Sequence, residues 1–521
     1  MKNKFIYLAI FAAGFASCEP EFENPVSQDY SAGNADFSSY VAIGNSLTAG
    51  YMDGTVSRVS QSYSFPNLLA QQFAAVGGGA FTQPSYAEDI DNLGGIAGVP
   101  GFNTRLVIDA SQGRPENIVG TPTITLTPQA TAFNNMGVPG AKSFHLLANT
   151  YGNVANLPNA NPYFIRHATS PTATVLGDAM SKNPTFFTNW IGANDVLFYA
   201  TNGGAQADGN TPAVDHNVSG NTNPSTYGGN DITNANAFAG VYTTIINTLT
   251  ANGAKGVVAT VPSVTSIPYF TTVPYAPLSP SALGGATNIN ALNSQLYNTL
   301  DAIFTSLGEP NRVNPLSATA ANPILILDFD IPNRAAQITA ALTPALGAPT
   351  ATAFGQVFGR ARQTTADDLV VLPASSVIGT VNASSPSTQI NINGVTFPMA
   401  NRWVLTSTEK TRVANATAAY NSAITSIAAS KNLAVADMNA ILNQLVSGLR
   451  ADNGTLYTAN YFSGGPSEFA VLFSLDGVHP NARGYSIIAN EILKVINNHY
   501  SARLPLLNPN NFPGISIVPS N

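Results

Sequence analysis

Hydrophobic residues along this chain switch repeatedly between short apolar runs and stretches with helical spacing. Apolar runs of about four to eight residues predict buried strands, which we place at 39–43, 184–191, 257–261, 323–329 and 433–436. Apolar positions three and four residues apart predict helices, which we place at 64–76, 235–250, 291–307, 408–430 and 481–497. Strands that alternate with helices are typical of βαβ units. The pattern therefore predicts an α/β fold with a central parallel sheet.

Three stretches break this alternation and predict insertions, at about 77–131, 196–233 and 308–405. The first is rich in Gly, Pro and Thr, with hairpin-like pieces at 104–109 and 121–127. The third has short β-prone pieces, such as the one at 389–397 around an Asn-Gly turn. We expect one domain over 37–505 followed by a tail at 506–521, although length alone would suggest roughly three domains.

The first residues have the features of a targeting signal. Two lysines precede an apolar run at 5–15, which is too short to cross a bilayer as a helix. Small residues then precede Cys18, so that residues 1–17 resemble a bacterial lipoprotein signal, whose removal leaves the Cys acylated. The alternative is an ordinary secretory signal in which Cys18 is a chance thiol. Residues 18–36 are polar, with scattered Pro and Gly, and predict a flexible tether between membrane and domain.

Composition excludes several classes of protein. The 521 residues include 21 Lys plus Arg and 28 Asp plus Glu, and the net charge of -7 gives no electrostatic footprint for nucleic acid. A single Cys cannot form an intramolecular disulfide or a Cys-rich metal site, and no His-Glu pair has helical spacing, so we expect no metal. The 44% of hydrophobic residues are sufficient for a large core.

A serine follows the first predicted strand directly, in Gly44-Asn45-Ser46. The carboxyl ends of parallel strands border the crevice in which open α/β sheets bind ligands. Gly44 permits a sharp turn, and the N-terminus of a following helix directs backbone N–H groups at a developing anion. Ser46 is therefore a candidate nucleophile, although Gly-Asn-Ser by itself is a common turn tripeptide.

Two further segments could donate hydrogen bonds to such an anion. Gly140, at the end of 134–140, lets a backbone N–H approach without a side chain in the way. Asn194 follows the strand at 184–191 and offers amide hydrogens without adding charge. Each segment also fits an ordinary turn, and Gly137 is an alternative to Gly140.

The fourth segment contains a histidine with a nearby acid. A His that accepts the proton of a serine needs a carboxylate to fix its tautomer and stabilise the imidazolium. Asp476 lies three residues before His479 in one predicted loop and supplies that partner. The sequence offers no comparable surroundings for the remaining histidines, His145, His167, His216 and His499.

These four segments, in this order, resemble the four sequence blocks of the SGNH hydrolases, a subgroup of the GDSL esterases and lipases. The family's catalytic Ser, oxyanion-hole Gly and Asn, catalytic His and acid match Ser46, Gly140, Asn194, His479 and Asp476. The chain departs from the family motif at Asn45, where the family has Asp. The resemblance implies a flavodoxin-like three-layer α/β/α sandwich and ester hydrolysis through an acyl-enzyme, with no cofactor and with the backbone N–H of Ser46 as a further oxyanion donor.

The sequence as a whole predicts a lipid-anchored, extracytoplasmic serine ester hydrolase. Its substrate would be an ester of a lipid or an acylated carbohydrate, and its location the outer membrane, on the periplasmic face or the cell surface. We expect a membrane contact through the anchor and no nucleic-acid partner. The alternative is a catalytically silent surface lipoprotein that uses the scaffold as a binding module. The insertion at 196–233 is expected either to cover the active-site crevice or to be a solvated decoration.

Overall fold

A parallel sheet forms the centre of the molecule. The computed structural model describes residues 29–111, 113–451, 454–463 and 470–519, so Cys18 and the predicted signal at 1–17 lie outside the described residues. The sheet has five strands: β1 (Tyr40–Gly44), β2 (Asn135–Gly137), β3 (Phe186–Trp190), β4 (Lys255–Ala259) and β5 (Ala434–Ala436). Their order is β5-β4-β3-β1-β2, with every pair parallel. This is a common doubly wound order, in which the strand sequence reverses between β1 and β3.

Helices cover both faces of the sheet. The helices that position the site or the core are α1 (Ser46–Ala49), α2 (Phe65–Ala74), α3 (Asn194–Thr201), α4 (Ala235–Thr250), α5 (Ser407–Ser430), α6 (Met438–Ser447) and α7 (Ala482–His499). Side chains of α2 and α7 pack on one face, and those of α4 and α5 on the other. The prediction of an α/β fold around a parallel sheet is confirmed.

Successive strand residues point to opposite faces of the sheet, and this alternation divides the core in two. On β1, Tyr40 and Ala42 belong to the core under α2 and α7, whereas Val41 and Ile43 belong to the core under α4 and α5. Because both faces are covered, all five residues of β1 are buried. This explains why the central strands read as apolar runs without an alternating polar face.

The helix boundaries follow side-chain caps that the sequence encodes locally. Asn234 accepts hydrogen bonds from two backbone N–H groups at the start of α4, and Thr406 and Glu409 form a capping box at the start of α5. Asn481 caps α7 by accepting one hydrogen bond, from the N–H of Gly484. The prediction of a helix at 235–250 is confirmed to the residue, and the other helices of the two faces begin and end within two residues of their predicted bounds.

Two predicted elements are present in a different setting. The strand predicted at 323–329 forms as Leu325–Leu327, but it pairs antiparallel with Ala361–Gln363 outside the central sheet. The helix predicted at 291–307 begins earlier, because Gly285–Leu292 leads through a π-helical turn into Asn298–Ser306. The pattern of apolar positions identified these elements but not their partners.

The predicted insertions differ from expectation in detail. Ala335–Leu346 and Ala348–Phe358 form two helices where the sequence pattern predicts β pieces, because alanine-rich segments favour helix without a marked apolar stripe. The β-prone piece predicted at 389–397 forms isolated bridges and no strand. In the first insertion Leu106–Asp109 pairs antiparallel with Pro115–Asn117, whereas 121–127 contains no strand.

The two ends of the described chain pack against the domain. Ser31 forms a backbone bridge with Arg503, and Lys255, at the start of β4, donates a hydrogen bond to the carbonyl of Asn34. Ile517–Val518 adds a parallel strand beside Leu106–Asp109. Residues from Ser31 onward, predicted as part of a flexible tether, are therefore fixed, because backbone hydrogen bonds hold them. The predicted tail also contributes a strand.

The remaining elements are short. The further α-helices are Arg58–Ser62, Pro162–His167, Val175–Met180, His216–Ser219 and Pro268–Thr271. The 3-10 turns are Ser143–Leu147, Val154–Asn156, Pro224–Thr226, Val264–Ser266, Leu372–Ser376, Thr388–Ile390, Asn401–Trp403 and Pro509–Asn511. Two-residue strands pair at Leu369–Val370 with Val404–Leu405 and at Leu449–Arg450 with Leu456–Tyr457. Within the described part of the chain, every helix is too short or too polar to span a membrane.

Candidate active site

Ser46 lies at the carboxyl end of β1, next to the point where the strand order reverses. It is the first residue of α1 and only 6% exposed. A Cβ atom at Gly44 would collide with the Thr48 side chain and the Trp190 carbonyl, so the turn into α1 requires glycine. Asn45 caps α1 by accepting a hydrogen bond from the Leu47 N–H at 3.0 Å. Asn45 is buried, and its neutral amide makes this bond without burying a charge.

The structure brings the predicted Ser, His and Asp side chains together. The Nε2 atom of His479 lies 2.8 Å from the Oγ atom of Ser46, and its Nδ1 atom lies 2.9 Å from Oδ2 of Asp476. An ionised carboxylate only accepts hydrogen bonds, so Nδ1 carries a proton and Nε2 of the neutral ring accepts from the Ser46 hydroxyl. The relay thus has the polarity that a general base needs.

The Asp476 carboxylate is held by its own loop. Its Oδ1 atom accepts hydrogen bonds from the N–H groups of Val478 and His479, at 2.9 and 2.8 Å, and from the Ser474 hydroxyl at 3.0 Å. The removal of water raises the pKa of Asp476, but the His479 charge and these hydrogen bonds outweigh that effect and hold it below its usual value. Asp476 is therefore ionised at neutral pH.

Two residues that the sequence reasoning missed support this loop from the segment after α1. The Asp53 carboxylate accepts a hydrogen bond from the Leu475 N–H at 2.9 Å, and the Asp53 N–H donates to the Ser474 hydroxyl at 3.1 Å. The Tyr51 ring packs against the His479 imidazole, with their centroids 4.5 Å apart. An Asp-Gly pair close behind the Ser46 segment was the signal available in the sequence, because Asp tolerates the left-handed turn that Asp53 adopts.

The Asp53 carboxyl has an unusual pKa. The removal of water raises it from 3.8 to about 7, and the nearby charge of Asp476 adds to the rise, against the hydrogen bond from Leu475 and the charge of Arg105. Two carboxyl groups close together cannot both ionise freely. Asp53 therefore holds its proton to a higher pH than Asp476.

Asn194 lies on the opposite side of Ser46, at the start of α3. It lines a cavity of about 40 Å³ together with Ser46 and His479, which is room for a water molecule. The Asn194 side chain is 97% buried, and its amide donates one hydrogen bond, at 2.9 Å, to the Ala141 carbonyl. The structure thus brings Asn194 to the same cavity as Ser46 and fixes the orientation of its side chain.

Gly140 precedes Ala141, whose carbonyl accepts the hydrogen bond from Asn194. Gly140 is not among the residues that line the cavity. Its φ of +81° lies in the left-handed region, and a Cβ atom there would make only ordinary contacts with the side chains of Asn161 and Phe198. By contrast, a Cβ atom at Gly137 would collide with the backbone of α1, so that Gly137 serves the packing of β2. These features favour Gly140 over Gly137 as the backbone donor.

A buried charge cluster joins the loop after β2 to the start of α3. The Asp195 carboxylate accepts hydrogen bonds from the N–H and the hydroxyl of Ser143, at 2.9 and 2.8 Å. The Lys142 ammonium donates to the Asp231 carbonyl at 2.8 Å. Burial lowers the pKa of Lys142 to about 8, against the charges of Asp195 and Asp231. This cluster fixes Gly140 and Asn194 relative to each other.

A second Ser-His-Asp cluster occurs in the insertion at 196–233, and the sequence reasoning missed it. His216 is buried, with Nε2 2.9 Å from Oδ2 of Asp231 and Nδ1 3.0 Å from Oγ of Ser219. The expectation that His216 has no comparable partner is wrong, because the fold closes a loop that brings Asp231 back to it. The stacked ring of Tyr227 covers the imidazole.

Within the described ranges, no group of three or more His, Cys, Asp or Glu residues is arranged to hold a metal ion. No protein-family model, curated protein or solved structure matches this chain. The function is therefore inferred from the geometry of the site.

Proposed function

We propose that this protein is a serine ester hydrolase of the SGNH type, with a flavodoxin-like three-layer fold. The observation that carries the proposal is the relay from Asp476 through His479 to Ser46, at the end of β1. The strand order is the flavodoxin-like one, and Asn194 lines the same cavity as Ser46 and His479. These features agree with the resemblance of the four sequence segments to the family's blocks.

The proposed reaction is acyl transfer to Ser46. The Ser46 oxygen attacks the ester carbonyl as Nε2 of His479 takes its proton, and Asp476 stabilises the imidazolium. The backbone N–H groups of Ser46 and Gly140 and the amide of Asn194 stabilise the oxyanion. His479 then returns the proton to the leaving alcohol, and water repeats both steps on the acyl-enzyme.

Labelling with a fluorophosphonate probe tests this proposal. The probe phosphonylates serines that an adjacent base activates, so we expect one label per chain, on the peptide that contains Ser46, together with turnover of aryl acetates. Ser219→Ala is the matched control and retains the label, whereas Ser46→Ala loses it. A folded wild-type protein that neither takes the label nor hydrolyses any aryl ester would exclude the hydrolase proposal and favour the binding module.

We also propose an extracytoplasmic location with a lipid anchor at Cys18. Cys18 and Ser31 are thirteen residue steps apart and reach at most about 45 Å when the chain is fully extended, so the anchor would keep the domain near the outer membrane. Cells fed with an alkyne-labelled fatty acid should incorporate it into the wild type and not into Cys18→Ser. Equal incorporation in both would contradict the anchor without affecting the hydrolase proposal.

A further inference from the structure

An apolar cavity adjoins the active site on the side of α6 and α7. Its volume is about 110 Å³. Leu47, Pro262, Ile267 and Val478 line both this cavity and the one that contains Ser46. Leu47 directly follows Ser46, and Val478 directly precedes His479. The two cavities therefore share a wall that carries the reacting groups.

The apolar side chains that line the cavity favour a hydrocarbon ligand. The deeper walls consist of aliphatic side chains, among them Ile441, Leu442 and Leu445 of α6 and Ile487 and Ile488 of α7. The indole of Trp190, which also lines the cavity, donates its N–H to the Thr260 carbonyl at 3.1 Å. Among the residues that the structure describes, no titratable side chain lines the cavity, so a polar group that entered would lose its water without gaining a charged partner from them.

We propose that this cavity binds the acyl chain of the ester substrate, an unbranched chain of about four to six carbons. The inference rests on the proposed hydrolase function. An apolar cavity of about 150 Å³ in another protein holds benzene, so 110 Å³ suits a chain of this length. The acyl group stays bonded to Ser46 through both half-reactions, whereas the alcohol leaves after the first. A pocket that Leu47 lines, directly after Ser46 in the chain, is therefore placed to hold the acyl group.

A second, larger cavity supplies the contrast. It has a volume of about 880 Å³ and lies between 272–292 and 372–396. Its lining includes polar side chains such as Asn288 and Thr396, and it shares no lining residue with the cavity at Ser46. A substitution at Leu283, in the wall of this larger cavity, is therefore a control for changes that only affect apolar packing.

The first experiment measures kcat/KM for p-nitrophenyl esters from acetate to dodecanoate. Burial of each methylene should raise kcat/KM about fourfold, up to butanoate or hexanoate, and longer chains should gain nothing more. A flat profile, or a maximum at acetate, in an active enzyme would overturn the acyl-pocket inference and leave the hydrolase proposal intact. The absence of turnover with every ester would instead exclude the hydrolase itself, and with it this inference.

The second experiment fills the cavity. Leu445→Trp should lower kcat/KM for hexanoate at least about tenfold and leave acetate within about twofold, because acetate does not reach α6. Leu283→Trp should leave both unchanged. Leu445→Ala enlarges the cavity, remains informative where the Trp variant does not fold, and should shift the optimum toward longer chains. Equal responses to hexanoate and acetate in both Leu445 variants would overturn the inference.

The third experiment distinguishes the acyl chain from the alcohol. Acetate esters of alcohols from ethanol to octanol should give nearly constant kcat/KM, and Leu445→Trp should not change that series. A rise with alcohol length that Leu445→Trp abolishes would show that the cavity takes the alcohol, and would overturn the assignment to the acyl chain.

Discussion

The two Ser-His-Asp clusters of this protein have nearly the same hydrogen-bond distances but different surroundings. In one, His479 points Nε2 at Ser46 and Nδ1 at Asp476. In the other, His216 points Nδ1 at Ser219, its neighbour on a four-residue helix, and Nε2 at Asp231. The hydrogen-bond lengths alone do not distinguish a catalytic relay from a structural clamp.

The surroundings do distinguish the two clusters. Ser46 faces a cavity that Asn194 also lines, whereas Ser219 is exposed and accepts a hydrogen bond from its own loop. Asp231 accepts two backbone N–H groups and the Gln206 amide besides His216, so that it fastens the insertion. A relay becomes a candidate catalyst only where an electrophile has room and an oxyanion has donors. By this criterion the cluster of Ser46, Asp476 and His479 is the candidate catalyst.

Removal of the nucleophile tests the comparison most strongly. Ser46→Ala should lower kcat for an aryl ester by a factor on the order of 10⁶, because it removes the oxygen that Nε2 of His479 contacts. Ser219→Ala should leave kcat unchanged. Steady-state rates of the two variants decide this, and activity lost with Ser219 but kept without Ser46 would reverse the assignment.

Replacement of the acids separates catalysis from stability. Asp476→Asn should lower kcat about 10⁴-fold, because the amide favours the wrong tautomer of His479. Asp231→Asn should leave kcat within about threefold but lower the free energy of unfolding by about 1–3 kcal/mol, through the hydrogen bonds it loses. Rates and urea unfolding curves of both variants provide the measurement. If both variants lost activity to the same extent, the two clusters would not differ in function.

The oxyanion donor gives an intermediate effect. Asn194→Ala removes the amide of a residue that lines the cavity and should lower kcat about 10²- to 10³-fold, with a smaller change in KM. Asn217→Ala, in the second cluster's loop, is the control and should have no effect on either constant. An Asn194→Ala variant that only raised KM would indicate a role in substrate binding and not in stabilising the transition state.

The smallest expected effect is that of replacing Asp53, the second carboxyl group near Asp476. The pKa of Asp53 is raised from 3.8 to about 7 in the folded protein, so between these values the folded chain holds a proton that the unfolded chain releases. Its contribution to stability is therefore lost as the pH rises from about 4 to above 7. The free energy of unfolding of Asp53→Asn should therefore increase relative to that of the wild type as the pH rises from 5 to 8, by up to a few kcal/mol. Urea unfolding at both values checks this, and a pH-independent difference would contradict the raised pKa.

Local signals explain what the sequence could predict. Four of the five sheet strands, α4 and the pair Asp476 and His479 each follow from residues close together in the chain, because strand burial, helix caps and a three-residue loop are local features. The short sheet strand Asn135–Gly137 was not predicted. The resemblance to the SGNH blocks then placed Ser46, at the far end of the chain, in one site with them.

Contacts between distant segments explain the rest. The support of Ser474 and Leu475 by Asp53 joins positions more than 400 residues apart, and the strand Ile517–Val518 pairs with the first insertion. Asp231 reaches His216 only through the folded loop. The adjoining cavity under α6 and α7 also depends on the packing of distant helices, which no local pattern of apolar residues reveals.

The place where Ser31 joins the domain has a consequence for orientation. Asn34 contacts Lys255 at the amino end of β4, and the parallel strands carry Ser46 and Asn194 at their carboxyl ends, about 17 Å away along a five-residue strand. The preceding chain thus meets the domain on the side of the sheet opposite the crevice. If the proposed anchor holds the protein at that end, the crevice at Ser46 faces outward, away from the surface that holds it and toward the esters of the proposed reaction.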